Sequence, residues 1–172
     1  MCKLIGAIFV LAACTGMGFA RGREYKLRIQ DLLMFKKLVL LLRGEIRYGA
    51  TALPEALCHI SDRVEHQFGK CMGTIARQLQ AQSGRPFYEI WEKEVRACAK
   101  ESALKGEDIR QCLRLGQQLG YLDKEMQISN IDFFIEQVEG TVERLEMEQG
   151  KRSRVCHCLG IFSGIMISLV LL

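Results

Sequence analysis

Proline is scarce in this chain: Pro54 and Pro86 are the two residues of that type among 172. Long stretches therefore lack the strongest helix breaker, including everything after Pro86. Histidine is nearly as rare. His59, His66 and His157 are too few and too dispersed for a His-based metal site. Apolar–polar alternation is missing and β-branched runs are few, which argues against a sheet. There is no phosphate-binding Gly-rich loop with a Lys and Ser/Thr, no G-x-G-x-x-G, no H-E-x-x-H and no G-x-S-x-G. The residues thus offer no catalytic constellation, and the expectation is a protein that is not an enzyme and needs no cofactor. Charge is also absent from residues 4–20 and 155–172, the two ends of the chain.

Those uncharged ends are the most informative segments present. Arg21, Arg23, Lys26 and Arg28 follow the first, and Lys151, Arg152 and Arg154 precede the second. Each apolar run is about 17–18 residues, slightly under the roughly 20 that cross a bilayer core easily. Snorkelling basic side chains and local thinning cover the difference. The expectation is a transmembrane helix at each end, over 1–21 and 155–172, around a helical domain at 22–154. The basic flanks place that domain in the cytoplasm by the positive-inside rule, with lipid headgroups as the partners of the flanks. The first run has a rival reading. Leu11-Ala12-Ala13-Cys14 matches a bacterial lipobox, which would make the chain a lipid-anchored extracytoplasmic binding protein processed at Cys14.

Net charge is +4, and removing Lys3, the one charge outside the middle, leaves +3 there. That excess is too small to indicate a nucleic-acid binder. The eight cysteines do not form a disulfide framework. Cys2, Cys14, Cys156 and Cys158 fall in the apolar ends, while Cys58, Cys71, Cys98 and Cys112 scatter along expected helices. Free, mostly buried thiols are the expectation.

Apolar residues in the middle recur at intervals of three and four, so the fold class is all-α, a six-helix bundle. The first helix runs from about Tyr25 to Tyr48, with Leu32, Phe35, Val39, Leu42 and Ile46 as its seam, and Gly49 ends it. Thr51 is the expected N-cap of the second helix, with Pro54 in its first turn. Gly69 is read as the break before the third. Ser83-Gly84-Arg85-Pro86 ends that helix and starts the fourth, which carries Phe87, Ile90, Trp91 and Val95. Lys105-Gly106 breaks it. The fifth opens on Glu107 and Asp108, read as partners of the helix dipole, and ends on a left-handed Gly120. Asp123 caps the sixth. Its heptad pattern comprises Ile128, Ile131, Ile135, Val138, Val142 and Leu145, and because no proline intervenes the expected helix runs on to the second apolar end.

Three further patterns bear on chemistry. Cys156-His157-Cys158 are adjacent on a helix and point in three directions, which is poor zinc geometry. Trp91 with Phe87 suits a core better than a stacking platform. Ala12, Gly16 and Ala20 in the first apolar run, and Gly160, Gly164 and Ser168 in the second, are small residues four apart. Such stripes let membrane helices approach closely, and they make self-association and membrane-protein partners an expectation.

A set of residues in order and spacing resembles the stage III sporulation protein AB family of endospore-forming bacteria. It comprises Glu45-Ile46-Arg47-Tyr48-Gly49, Thr51, Leu53-Pro54-Glu55-Ala56-Leu57, Trp91, Leu115-Gly116, Leu119-Gly120, Asp123, Gln127, Leu159-Gly160 and Gly164. The family usually has Thr-Pro-Leu after the first helix, whereas Thr51-Ala52-Leu53-Pro54 shifts the proline by two. The resemblance implies a soluble part similar to the cytoplasmic domain of the type II secretion F protein. It implies a non-enzymatic platform in the channel complex joining mother cell and forespore, required for sporulation. The implied partners are the complex's cytoplasmic ATPase, stage III sporulation protein AA, and its other membrane proteins. The implied location is the mother-cell membrane, with the soluble domain in the cytoplasm.

Overall fold

The computed structural model contains six α-helices and, among the described residues, no strand. It describes residues 2–49, 51–81, 84–120 and 123–171, and the side chains of those between 22 and 149. The helices are α1 (Cys2–Tyr48), α2 (Leu53–Arg63), α3 (Gln67–Gln80), α4 (Phe87–Ala99), α5 (Gly106–Leu119) and α6 (Lys124–Leu171). They divide between two units: residues 28–142 form one, and residues 1–27 with 143–172 form the other.

The first helix begins far earlier than its seam suggested. Gly22 is the one poor helix former at the expected boundary, and a single glycine costs a helix only about 1 kcal/mol. With no proline there, nothing stops α1. The same reasoning holds for α6, which passes through Gly140 and Gly150 without a break.

The core of the larger unit is apolar and interlocked. Phe35 of α1 meets Phe68 of α3 edge-on at 5.6 Å between ring centroids, and Phe134 of α6 at 5.7 Å. Trp91 of α4 lies 6.5 Å from the same ring. One side chain thus joins four helices, in the edge-to-face geometry that aromatic quadrupoles favour. Around it Leu32, Leu38, Leu42, Leu57, Ile60, Ile75, Leu115 and Ile131 are buried. The buried positions of α6 include Phe134 rather than Ile135, which is half-buried. The helical stripe rotates past the strict heptad, as 3.6 residues per turn requires.

Several local expectations are corrected. Ala52, not Thr51, is the N-cap of α2, and it makes no side-chain cap bond; Pro54 at the second helical position fixes the start there. Gly69 does not separate two helices. It lies inside α3, where an added Cβ would sit 2.1 Å from the Val64 carbonyl oxygen, so the missing side chain permits a tight α2–α3 corner. His66 caps α3, its Nδ1 accepting from the Phe68 N–H at 3.4 Å. Gly106 is the first residue of α5 rather than a breaker. Gly120 ends α5 with φ −82° and ψ −18°, which is right-handed. Gly84, before Pro86, has φ +67° and is where the left-handed conformation occurs.

Candidate interaction surface

Eight residues of the resemblance set, Glu45, Gly49, Pro54, Trp91, Gly116, Gly120, Asp123 and Gln127, are structural-motif positions and fall into two groups. Glu45, Gly49 and Pro54 build the α1–α2 corner. The Gly49 N–H donates to the Glu45 carbonyl at 2.8 Å, closing the last turn of α1. A side chain on Gly49 would collide with that carbonyl and with the Thr51 hydroxyl. The Glu45 carboxylate is mostly buried and lies 3.4 Å from Arg63 and 3.6 Å from His59, so it ties α1 to α2.

Trp91, Gly116, Gly120, Asp123 and Gln127 build the second group, which joins α4, α5 and α6. Trp91 is 1% exposed, and its Nε1–H donates to the Cys112 carbonyl at 3.0 Å. Gly116 lies against the indole: an added Cβ would sit 2.1 Å from Cδ1. Gly120 approaches the Phe87 ring in the same way, at 3.2 Å for an added Cβ. Asp123 caps α6, accepting from the Met126 N–H at 2.9 Å, and Gln127 Nε2 donates back to the Leu119 carbonyl at 2.6 Å. These residues set helix positions; they do not converge on a reacting centre. Ala12, Gly16, Ala20, Gly160, Gly164 and Ser168, the expected membrane packing positions, lie outside the residues whose side chains are described. Among the described residues no helix is long and apolar enough to cross a membrane.

Sequence reasoning missed the main polar contact of the interior. Asp108 is 1% exposed. Its carboxylate accepts from Arg28 Nε at 2.8 Å and from Nη2 at 2.9 Å, a two-pronged pair. It also accepts from the Lys105 N–H at 2.8 Å, capping α5. The signal was present: Asp108 falls four residues after buried Leu104 and four before buried Cys112, on the core stripe of its helix. Asp31 acts similarly, accepting from the Ala103 N–H at 2.7 Å and fastening the α4–α5 connection to α1.

Chemistry beyond packing is sparse. Cys71, Cys98 and Cys112 are free thiols on α3, α4 and α5. Cys71 donates to the Cys98 sulfur, which holds Cys98 below the ordinary thiol range against its own partial burial and the nearby Glu101 and Asp31. The same contact, with burial, pushes Cys71 up, and burial pushes Cys112 up. Among the described residues no cluster of His, Cys, Asp and Glu is arranged to hold a metal. An open groove of about 580 Å³ is lined by Arg43, Arg47, Lys124, Glu125, Ile128 and Asp132. Arg43 Nη2 donates to Asp132 at 3.0 Å inside it. It is shallow and polar, unlike the enclosed apolar sites that hold small ligands. The exposed ridge of α5 carries Arg110, Arg114 and Gln117, and Leu33, Leu40, Met126 and Phe133 are large apolar side chains 41–54% exposed.

Among the described residues the fold is six α-helices with no strand, which defines an all-α bundle. Residues 3–172 match the family model for stage III sporulation protein AB, and the chain belongs to that sporulation family. It is 25% identical to stage III sporulation protein AB of Bacillus subtilis (strain 168), over 172 residues and the whole of both chains. It also resembles a solved structure titled stage III sporulation protein AB, with a TM-score of 0.66 and 21% identity. That likeness covers 73% of this chain and 98% of the other.

Proposed function

We propose that this protein is a non-enzymatic, membrane-anchored assembly component of the sporulation channel between mother cell and forespore. Its helical unit docks the cytoplasmic ATPase of the complex, stage III sporulation protein AA, while its apolar ends sit in the mother-cell membrane with the complex's other membrane proteins. The observation that carries this reading is the continuity of α6. One helix, Lys124–Leu171, holds both core residues of the bundle and the uncharged segment that follows Lys151, Arg152 and Arg154. A helix shared in this way gives the bundle a direct connection along the chain to the apolar end. The resemblance of the motif residues to the stage III sporulation protein AB family implies a soluble part like the type II secretion F platform, whose partner would supply the nucleotide chemistry.

The α5 ridge is the surface to test. Arg110 and Arg114 are exposed and lie one turn apart, while the opposite face of α5 is buried through Cys112, Leu115 and Leu119. The full-length chain in mild detergent should retain the ATPase in a pull-down. Arg110→Glu with Arg114→Glu should reduce that retention without changing the helical content of the chain. A chain that captures no ATPase, with or without nucleotide, would count against the docking role.

A further inference from the structure

Two exposed stripes of the larger unit are complementary to one another, and they do not meet within one chain. The first lies on α1 and consists of Leu33, Lys37, Leu40 and Gly44. The second lies on α6 and consists of Ser129, Phe133, Glu136 and Gly140. Leu33 is 43% exposed, Leu40 41% and Phe133 54%. Side chains so large and apolar, spaced by a heptad on a helix, are the pattern of a seam between helices. A Cβ added at Gly44 or Gly140 would meet nothing within 4 Å, so both glycines leave the helix surface open to close approach.

The charges are of opposite sign. The α1 stripe carries Lys37, and the α6 stripe carries Glu136. Laid antiparallel, the stripes match along their length: Leu33 faces Gly140, Lys37 faces Glu136, Leu40 faces Phe133 and Gly44 faces Ser129. A large residue meets a small one at the Leu33–Gly140 end, two small residues meet at the Gly44–Ser129 end, and the cation meets the anion between them. Laid parallel in the same order, Lys37 falls opposite Phe133 and Leu40 opposite Glu136, and the ion pair is lost.

Both stripes lie on one outer face. On α1 the core residues Phe35 and Val39 lie opposite the stripe, and Lys36 and Arg43 lie on the flank toward α6. There Lys36 Nζ donates to Glu139 at 2.6 Å and Arg43 to Asp132 at 3.0 Å. On α6, Glu139 and Asp132 occupy the matching flank, and Phe133 and Glu136 face away from core residues Phe134 and Val138. At about 100° per residue, the partner helix and the stripe are separated by a quarter turn on both helices.

We infer that this face receives a second copy of the same chain, forming a two-fold dimer in which α1 of each copy packs antiparallel on α6 of the other. The symmetry is tested by the register. A two-fold axis parallel to the helices produces no shift along them, so the contact between copies must have nearly the register of the α1–α6 contact within a copy. Within a copy Lys36 meets Glu139; between copies Lys37 meets Glu136. The two registers differ by two residues, about 3 Å of helix rise. Four helices then form a square in which every neighbour is antiparallel, a standard bundle arrangement.

The test uses the full-length chain in mild detergent, with two purification tags and co-purification as the readout. Lys37→Glu alone sets two acids against each other at two equivalent places, and Glu136→Lys alone sets two bases. Each variant should self-associate at least about tenfold more weakly than the natural chain. Mixing the two variants should restore co-purification, because a mixed dimer has an ion pair at both places. The double variant Lys37→Glu, Glu136→Lys should also associate like the natural chain. Lys37 and Glu136 are both exposed in the monomer, so helical content should stay constant. A monomeric natural chain would overturn the inference and leave the face to a different protein. Association that ignores both single variants would also overturn it, since contacts elsewhere, such as the small-residue stripes of the apolar ends, would then hold the copies together. So would weak singles that mixing does not restore.

Discussion

Replacing Gly116 with alanine sets two known effects against each other. Gly116 lies inside α5, where alanine is the better helix former by about 1 kcal/mol, so propensity alone predicts a more stable protein. The structure predicts the opposite sign. The new methyl would sit 2.1 Å from Trp91 Cδ1 and 2.4 Å from Nε1. The indole is fully buried and held on the Cys112 carbonyl, so it has no empty space to enter. Overpacking of this kind costs about 1–3 kcal/mol. If the indole swings aside, the Cys112 carbonyl loses its side-chain donor, and an unsatisfied buried group adds about 1–3 kcal/mol. At the middle values the net loss after the propensity gain is about 1 kcal/mol if the indole stays and about 3 kcal/mol if it swings aside, or about 2 kcal/mol between the two. For a chain of this length that lowers the midpoint by about 6 °C. Trp91 is the one tryptophan, so its emission reports on the site directly. Unfolding by urea in mild detergent, followed at that emission, measures the loss. Gly44→Ala is the control: its Cβ meets nothing, and it should gain up to about 1 kcal/mol. A Gly116→Ala protein as stable as the natural one, with unchanged tryptophan emission, would refute the reasoning.

Asp108→Asn keeps the shape of the side chain but leaves Arg28 beside a neutral amide; a loss of about 3 kcal/mol is expected, measured by the same urea titration. Arg28→Met combined with Asp108→Asn should cost less than the two single losses together, because the pair acts as a unit. Asp123→Ala removes a working cap and should cost about 1 kcal/mol, whereas Thr51→Ala should stay within about 0.5 kcal/mol and Ala52→Ser should gain about 1 kcal/mol. Iodoacetamide should alkylate Cys98 before Cys71 and Cys112, with a rate that rises through a midpoint below that of an ordinary free thiol. Peptide mass mapping over a pH series checks this, and equal labelling of Cys98 and Cys112 would contradict it.

The helices were legible because every one of them buries a stripe, and a stripe is a local property of spacing. Seam residues Leu32, Phe35, Val39 and Leu42 are all in the core, as their intervals required. Glycines were less legible because the sequence shows the residue and not the use. Gly49 ends a helix, yet Gly69 and Gly116 sit inside helices where a neighbour comes too close for a side chain. That neighbour belongs to another element, so no local pattern names it. Polar residues were the least legible. Glu107 and Asp108 are adjacent acids in the same first turn, and the short-range reading treats them alike. One is exposed and the other is buried against Arg28, a residue 80 positions away. The resemblance set behaved in the same manner: its members Trp91, Gly116, Asp123 and Gln127 turned out to be joints between helices rather than a reactive cluster.

The double engagement of Asp108 has a consequence for how the bundle opens. Its carboxylate serves the α5 cap through Lys105 and the first helix through Arg28 at once. Fraying the start of α5 removes the cap and exposes the acid, and the same movement strips Arg28 of its anion. Loosening α1 has the reverse effect, leaving a buried carboxylate without its cation and weakening the α5 cap. Neither the first turn of α5 nor the Arg28 segment of α1 can fluctuate alone at low cost, so α2, α3 and α4, which lie between them in the chain, are enclosed in a loop that opens as a whole. In hydrogen exchange the amides around Lys105 and those around Arg28 should therefore be released together, as one opening unit rather than two.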